Sequence, residues 1–426
     1  MRYLMNRCYT LLLCLLCSAP FLANDSIPST RDLAGQAWTD EGIDIPESLN
    51  TDLDSLLRDW HIKVRHSQRK DCDCDSAHVP SFSDDVLMKR LASIPTTIPM
   101  SFNPVTKRCI DLYTKERRPQ VQIMLGLGQY YNPLFEQALE RYQMPLELKY
   151  LPVVESALNP NAVSRAGATG LWQFMFGTGK MYGLEINTLL DERRDPIKST
   201  NAAVKYLNDL YRIFGDWHLA IAAYNCGPGN VNKAIRRAGG KKDYWQIYNF
   251  LPRETRGYVP LFIAANYVMH YYKDHNLCPI ETELTTITDT LWLDKKVHFD
   301  QISAVIGINK ETLHAMNPQY RHNIIPGSSE KPHVLCLPAE YSLAYLDYQD
   351  SIPRFLADSL LNEGKLLAAP QNITASSNGK YHVYKVRRGD TLSTIARRNR
   401  VTVNKIKQWN GLHTSRIYPG QRLKIY

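Results

Sequence analysis

The sequence predicts a mainly α protein: a long helical block followed by small modules that mix helix and strand. Three observations predict it. Apolar residues recur at spacings of three and four through "NPVTKRCIDLYTKERRPQVQIMLGLGQYYNPLFEQALERYQMPLELKYL", which begins at Asn103, the period of a helix with one buried face. "DPIKSTNAAVKYLNDLYRIFG" (195–215) reads as an amphipathic helix, with Ala203, Leu207 and Leu210 on one face and Gly215 as its stop. After residue 280 the texture changes, and "FDQISAVIGINKETLHAMNP" (299–318) repeats as "LSTIARRNRVTVNKIKQWNG" (392–411).

Taken in order, residues 1–23 have the form of a secretory signal. Arg2 and Arg7 precede an apolar stretch that is too short to span a membrane. Export is therefore expected, to the periplasm or cell envelope. Phe21 sits where a cleavage site prefers a small residue, and Cys14 and Cys17 each follow a leucine where lipidation prefers a small one. Lipid attachment and outer-membrane association stay open as alternatives. Residues 24–81 are polar and irregular and read as an extended arm. The helical domain occupies 82–280, with Pro133 and Pro145 fitting the first turns of helices. "DWHLAIAAYN" and "YVPLFIAANYVMHYY" continue the pattern to about residue 272.

A single offset of 93 pairs Phe299 with Leu392, Ile302 with Ile395, Leu313 with Ile406 and Asn317 with Asn410, then Pro326-Gly327 with Pro419-Gly420. Each copy closes on a short apolar strand, "HVLCLP" or "QRLKIY". The chain thus holds two copies of one small module, at 281–340 and 381–426. Residues 341–380, including "PQNITASSNGK", read as a linker.

Charge separates the two copies. Residues 380–426 carry 12 Lys or Arg against the single acid Asp390, leaving the rest of a +9 chain close to neutral. Such a module suits an anionic polymer or surface. It lacks a recognition-helix pattern, so no nucleic-acid partner is expected. The cysteines show no paired zinc spacing, "DCDCD" at 71–75 reads as an acidic loop with metal binding as the alternative, and no metal or cofactor is expected.

One stretch could do chemistry. "VVESALNPNAVSRAGATGLWQFM" (153–175) holds a lone carboxylate, Glu155, behind two valines. An apolar setting raises a carboxyl pKa and makes a general acid that stays protonated near neutrality. A solvated glutamate at a helix end is the plain alternative. "GATGLWQFM" adds Gln173, "AAYNCGPGN" adds Tyr224 and Asn225, and "ETRGYVPLF" adds Tyr258: aromatic faces and amides of the kind that hold sugars. Cys226 reads as packing. Glu147, eight residues before Glu155, would lie roughly 80° away around a helix. Glu185, Asp191 and Glu192 read as solvated.

"ESALNP", "GATGLWQFM", "AYNCGPGN" and "GYVP" resemble, in order, the four motifs of the family 1 lytic transglycosylases. "MPLELKYLPVVES" and "DERRDP" are similar to the membrane-bound D branch of that family. "YKVRRGDTLSTIARRNRVTVNKIKQWNG" resembles the opening of a LysM module. The copy at 281–340 resembles a degenerate LysM, because "KKVHFD" replaces "RRGDTL". The resemblance implies a goose-lysozyme-like helical domain followed by βααβ modules. It also implies cleavage of the MurNAc–GlcNAc bond in peptidoglycan glycan strands without water, leaving 1,6-anhydro ends. Ordinary glycosidases use two carboxylates, whereas the resemblance implies that Glu155 first gives and then takes a proton while the substrate supplies the nucleophiles. By the same route Gln173 and Asn225 would orient an acetamido group, Tyr224 and Tyr258 would flank the sugar, Ser164 would touch the muramyl substituent, and Ser156 would support the helix end. A goose-type hydrolase and a non-catalytic wall-binding scaffold remain alternatives.

Overall fold

The computed structural model describes residues 78–282, 284–361 and most of 382–425, together with Asp44, Glu47, Val64 and Arg65. The expected leader (1–23), nearly all of the arm (24–81, with its "DCDCD") and the linker residues 362–380 lie outside the described residues. The chain forms two compact units, Met1–Leu361 and Asn362–Tyr426.

In the first unit, helices α1 (Asp84–Ser93) and α2 (Pro104–Asp111) lead into the long α3 (Arg118–Arg141). Asn103 caps α2, its side chain accepting the Thr106 N–H, and Pro104 stands at the first turn, where its missing donor costs nothing. Pro133 departs from expectation. It lies inside α3 rather than at a start, because Met124, Leu127, Tyr131, Phe135 and Leu139 bury one continuous face across it. That burial outweighs the lost backbone hydrogen bond. Pro145 precedes a 3-10 turn, Leu146–Tyr150, that feeds the short α4 (Leu151–Ser156). After α5 (Phe176–Met181) comes α6 (Pro196–Phe214), as the sequence predicts. Asp195 caps it through the Ile197 and Lys198 N–H groups, and Gly215 ends it at φ 68°. Then follow α7 (Trp217–Cys226), α8 (Pro228–Arg237), α9 (Tyr244–Ile247), α10 (Arg253–Arg256) and α11 (Tyr258–Tyr271). From Tyr258 to Val268 every residue of α11 is buried; it is the central post of the block. Trp172 is fully buried against Phe135, with its indole N–H donated to Thr200 at 2.8 Å.

The chain leaves the block where Ile280 donates to the Gln122 carbonyl and passes so close to Gly126 that a Cβ there would lie 2.1 Å from the Ile280 oxygen. Strand β1 (Val64–Arg65) pairs antiparallel with β2 (Glu281–Thr282). Cys278 is disulfide-bonded, whereas Cys109, Cys226 and Cys336 are reduced thiols. Two acids of the arm reach the block: Glu47 pairs with Arg165 at 3.2 Å and Asp44 with Arg253 at 3.4 Å.

The first small module belongs to the same unit. Antiparallel β3 (Thr288–Leu293) and β6 (His333–Pro338) form one ladder, β4 (Lys296–His298) and β5 (Ile324–Pro326) another. Helices α12 (Phe299–Ile306) and α13 (Lys310–Met316) pack on them through Phe299, Ile302 and Leu313. The expected linker start at 341 is corrected. Helix α14 (Ser342–Tyr348) and the turn at Ile352–Arg354 follow directly, and Tyr345 and Ile352 complete the module core. Gln301 also donates to the Pro353 and Phe355 carbonyls at 3.0 and 2.7 Å. Polar neighbours in the sequence conceal these two apolar anchors.

The second unit pairs β7 (His382–Lys385) with β8 (Arg422–Ile425) and packs α16 (Leu392–Arg398) and α17 (Val403–Trp409) around Ile395, Ile406 and Leu423. Between them in the chain, the short α15 (Ala357–Leu360) ends the first unit. The repeat carries a shared hydrogen-bond signature. Asn317 donates to the Cys336 carbonyl at 2.6 Å and accepts its N–H at 2.8 Å. Asn410 does the same with Lys424, at 2.8 and 2.7 Å. Both amides also donate to a carbonyl four residues back, Leu313 or Ile406. One amide thus satisfies three backbone groups in each copy, which explains why asparagine recurs at that offset.

Candidate active site

Glu155 lies on the last turn of α4, behind Val153 and Val154, which are fully buried. The helix stops because Ala157 and Leu158 adopt φ of 51° and 63°, and their N–H groups turn back to the Val153 and Pro152 carbonyls. Left-handed backbone without glycine is strained, and it persists here because both side chains are sealed in the core. Gln173 is a third such residue, at φ 47°. Strain of this kind concentrates where geometry serves a function.

The carboxyl of Glu155 is partly buried and accepts a hydrogen bond from the Tyr258 hydroxyl at the start of α11. Burial pushes its pKa up to about 7, with the Tyr258 bond pulling the other way. Among the described residues, no second carboxylate contributes to that shift. Tyr224 on α7 completes the group. Its hydroxyl donates to the Trp172 carbonyl at 2.7 Å, and burial, then the neighbouring Glu155, hold its own ionisation far above the usual range. The sequence-predicted Glu155, Tyr224 and Tyr258 therefore come together. Tyr258 does more than flank: it holds the carboxyl itself.

Ser164 and Gln173 share the turn 163–174, pinned by bridges between Val163 and Thr169 and between Thr169 and Phe174. Ser164 Oγ accepts the Ala168 N–H at 3.1 Å. Gln173 Nε2 donates to Ala162 at 3.2 Å and Gly170 at 2.9 Å. The Gln173 amide donors thus help to shape the loop. Asn225 is exposed, its Oδ1 accepting from Thr255 at 2.8 Å and its Nδ2 making no hydrogen bond among the described residues. Ser156 ties the helix end to the same loop, with Oγ 2.9 Å from the Leu171 carbonyl. Glu147 does not approach Glu155 as a partner; it is buried and accepts the Ile98 N–H at 2.6 Å.

Reading the 185–192 acids as solvated is corrected for two of them. Asp191 and Glu192 are each only 4% exposed. Asp191 forms a fork with Arg193, and Glu192 pairs with Lys198 while accepting the Glu185 N–H at 2.8 Å. Glu185 is partly exposed and pairs with Lys331 at 2.5 Å. Arg193 escaped the sequence reading. Its signal was an acid and an arginine two apart, just before a proline-initiated helix.

A carboxyl that stays protonated to about pH 7 is an acid ready for transfer. Any reaction that starts with its proton loses kcat/KM as pH rises through about 7. Tyr258→Phe removes the bond that favours the charged form, so the alkaline limb moves upward by roughly one pH unit. A limb left in place, or moved down, in a pH–rate profile contradicts this arrangement.

The comparisons agree with this architecture. Residues 133–247 match the transglycosylase SLT domain, 287–354 the LysM-like domain of the lytic transglycosylase MltD, and 384–425 the LysM domain. The chain is therefore a modular protein with an SLT domain and two modules of the LysM kind. It is 35% identical over 295 residues to membrane-bound lytic murein transglycosylase D of Escherichia coli K12, covering 67% of this chain and 61% of that relative. It is 32% identical over 149 residues to the soluble lytic murein transglycosylase of the same strain, covering 33% and 23% of the two chains. The solved 70 kDa soluble lytic transglycosylase of Escherichia coli aligns over 34% of this chain and 25% of its own, at 32% identity and a TM-score of 0.30. The chain thus spans about three fifths of the length of the first of these relatives.

Proposed function

We propose that the protein is a peptidoglycan lytic transglycosylase that cleaves the MurNAc–GlcNAc bond and leaves 1,6-anhydro ends, held on the wall by its LysM module. The observation that carries this reading is the Glu155 carboxyl, with a pKa of about 7 and, among the described residues, one hydroxyl partner and no second carboxylate acting on it. The ordinary glycoside hydrolase uses a second carboxylate as nucleophile or to activate water. A transglycosylase does not.

Glu155 protonates the glycosidic oxygen, and the substrate's acetamido group stabilises the positive charge that develops at C1. The carboxylate so formed is held by the Tyr258 hydroxyl. It takes the proton of the C6 hydroxyl as that oxygen closes on C1. Protons balance over the cycle, and Glu155 ends as it began. Asn225, with its Nδ2 available, orients the acetamido group, while Tyr224 and Tyr258 form the wall beside the sugar. Ser164 and Gln173 act by holding the 163–174 loop that borders the muramyl side. The basic module at 381–426 retains the enzyme on an anionic wall after export to the cell envelope. Among the described residues no helix is long and apolar enough to cross a membrane.

Mass spectrometry of the fragments released from purified sacculi tests the proposal. Anhydro-terminated muropeptides are expected, and fragments with ordinary reducing ends, one water heavier, contradict it.

A further inference from the structure

The loop carrying Ser164 and Gln173 is held by a buried arginine to which no role has yet been given. Arg193 is 8% exposed and Asp191 4%. The guanidinium meets the carboxylate through Nε at 2.9 Å and Nη2 at 2.8 Å, the two-pronged geometry that fixes an arginine in orientation as well as in place. So anchored, Nη1 donates to two carbonyls of the loop, Gly167 at 3.1 Å and Phe174 at 3.2 Å. These bracket the segment 168–173. Within the bracket, the Leu171 carbonyl is tied to Ser156, next to Glu155, and the Trp172 carbonyl to Tyr224. The backbone of Arg193 closes the fit. Gly170 passes so near that a Cβ would lie 1.8 Å from the Arg193 carbonyl oxygen.

The first module fixes the other end of this chain of contacts. Leu190 bridges Tyr320, Asp191 N–H donates to the Gln319 carbonyl at 2.9 Å, and Arg321 N–H donates to Leu189 at 2.8 Å. The segment 189–191 is thus one strand of a short antiparallel pair whose partner belongs to the LysM-like copy. That copy lacks the "RRGDTL" opening of its twin.

We propose that Arg193 is a positioning residue for the cleavage reaction, and that the LysM-like module, by holding Asp191, sets the active-site loop through it. The inference rests on the transglycosylase reading above. Arg193 touches no reacting atom; it acts through the loop beside Glu155. Lysine keeps the charge at this site but cannot reach Asp191 and both loop carbonyls together.

The test is steady-state turnover of purified glycan strands by the full chain carrying Arg193→Lys, with its thermal midpoint measured alongside. A kcat about 10²-fold below wild type with KM within roughly 3-fold is expected, the signature of a misplaced reacting geometry rather than lost binding. Wild-type kcat in the folded Arg193→Lys protein overturns the inference. So does a loss confined to KM. Should that variant not fold, Asp191→Asn keeps the shape and removes the charge, and the same split in kcat with smaller amplitude is expected; unchanged kcat there also overturns it. Anhydro-terminated products from the wild type combined with an unaffected Arg193→Lys enzyme would remove this inference and leave the proposed function standing.

Discussion

Glu155→Gln lowers cleavage of glycan strands by about 10³-fold or more, since one group supplies both proton transfers and each is commonly worth 10²–10⁴-fold. Glutamine keeps the volume and can still accept from Tyr258, but it has no proton to give. Binding through the LysM module is expected to stay at the wild-type level, so pull-down on insoluble sacculi separates failed chemistry from failed folding. The same variant should be more stable than wild type at alkaline pH. Burial holds the folded-state pKa of Glu155 at about 7, above its ordinary value of 4.5. Its favourable contribution is therefore complete below the unfolded value and is lost as pH rises through 7. Above that pH the wild type carries a buried charge worth about 3 kcal/mol at most. Glutamine removes that charge, so the gain in thermal midpoint should be larger at pH 8 than at pH 5. An equal midpoint difference at both pH values contradicts the buried-acid description.

Gly170→Ala is expected to be the most destabilising single methyl in the helical domain. The residue sits at φ 90°, and an added Cβ would lie 1.8 Å from the Arg193 carbonyl oxygen and 2.7 Å from its carbon. Backbone atoms cannot step aside as a flexible side chain could, so the loop must leave Arg193 or distort. A loss on the order of 3–5 kcal/mol follows from strain and steric conflict together, which is roughly a 10 °C fall in thermal midpoint for a domain of this size. Gly167→Ala is the control. It has a similar φ of 86° but nothing within 4 Å of the added carbon, so only the conformational penalty of about 1 kcal/mol remains. Equal losses for the two would show that backbone strain alone, and not the close approach to Arg193, constrains the loop.

Much of this architecture was legible because it rests on local rules. The helix at 196–214 announces itself through the Asp195-Pro196 start and the Gly215 stop, and both behave as such in the fold. The offset-93 repeat was legible because Asn317 and Asn410 must satisfy the same three backbone groups. Glu155 could be singled out because two fully buried valines precede it. Long-range pairing was not legible. The bond between Tyr258 and Glu155 joins residues 103 apart, and no periodicity reports it. Asp191 looks like a solvated charge until Arg193 forks onto its carboxylate and the segment 319–321 bonds to the backbone beside it. Tyr345 and Ile352 lie in a polar stretch that reads as linker, yet they finish a core begun by Phe299. Pro133 misled for a related reason: local chemistry forbids it mid-helix, and tertiary burial tolerates it.

The central claim is that the substrate closes on itself and water takes no part. Digesting sacculi in water enriched in heavy oxygen, followed by mass analysis of the released muropeptides, tests it most directly. The account predicts anhydro ends with no heavy oxygen at C1. Heavy oxygen at C1 of the newly formed ends would mean that water, and not the C6 hydroxyl, attacked.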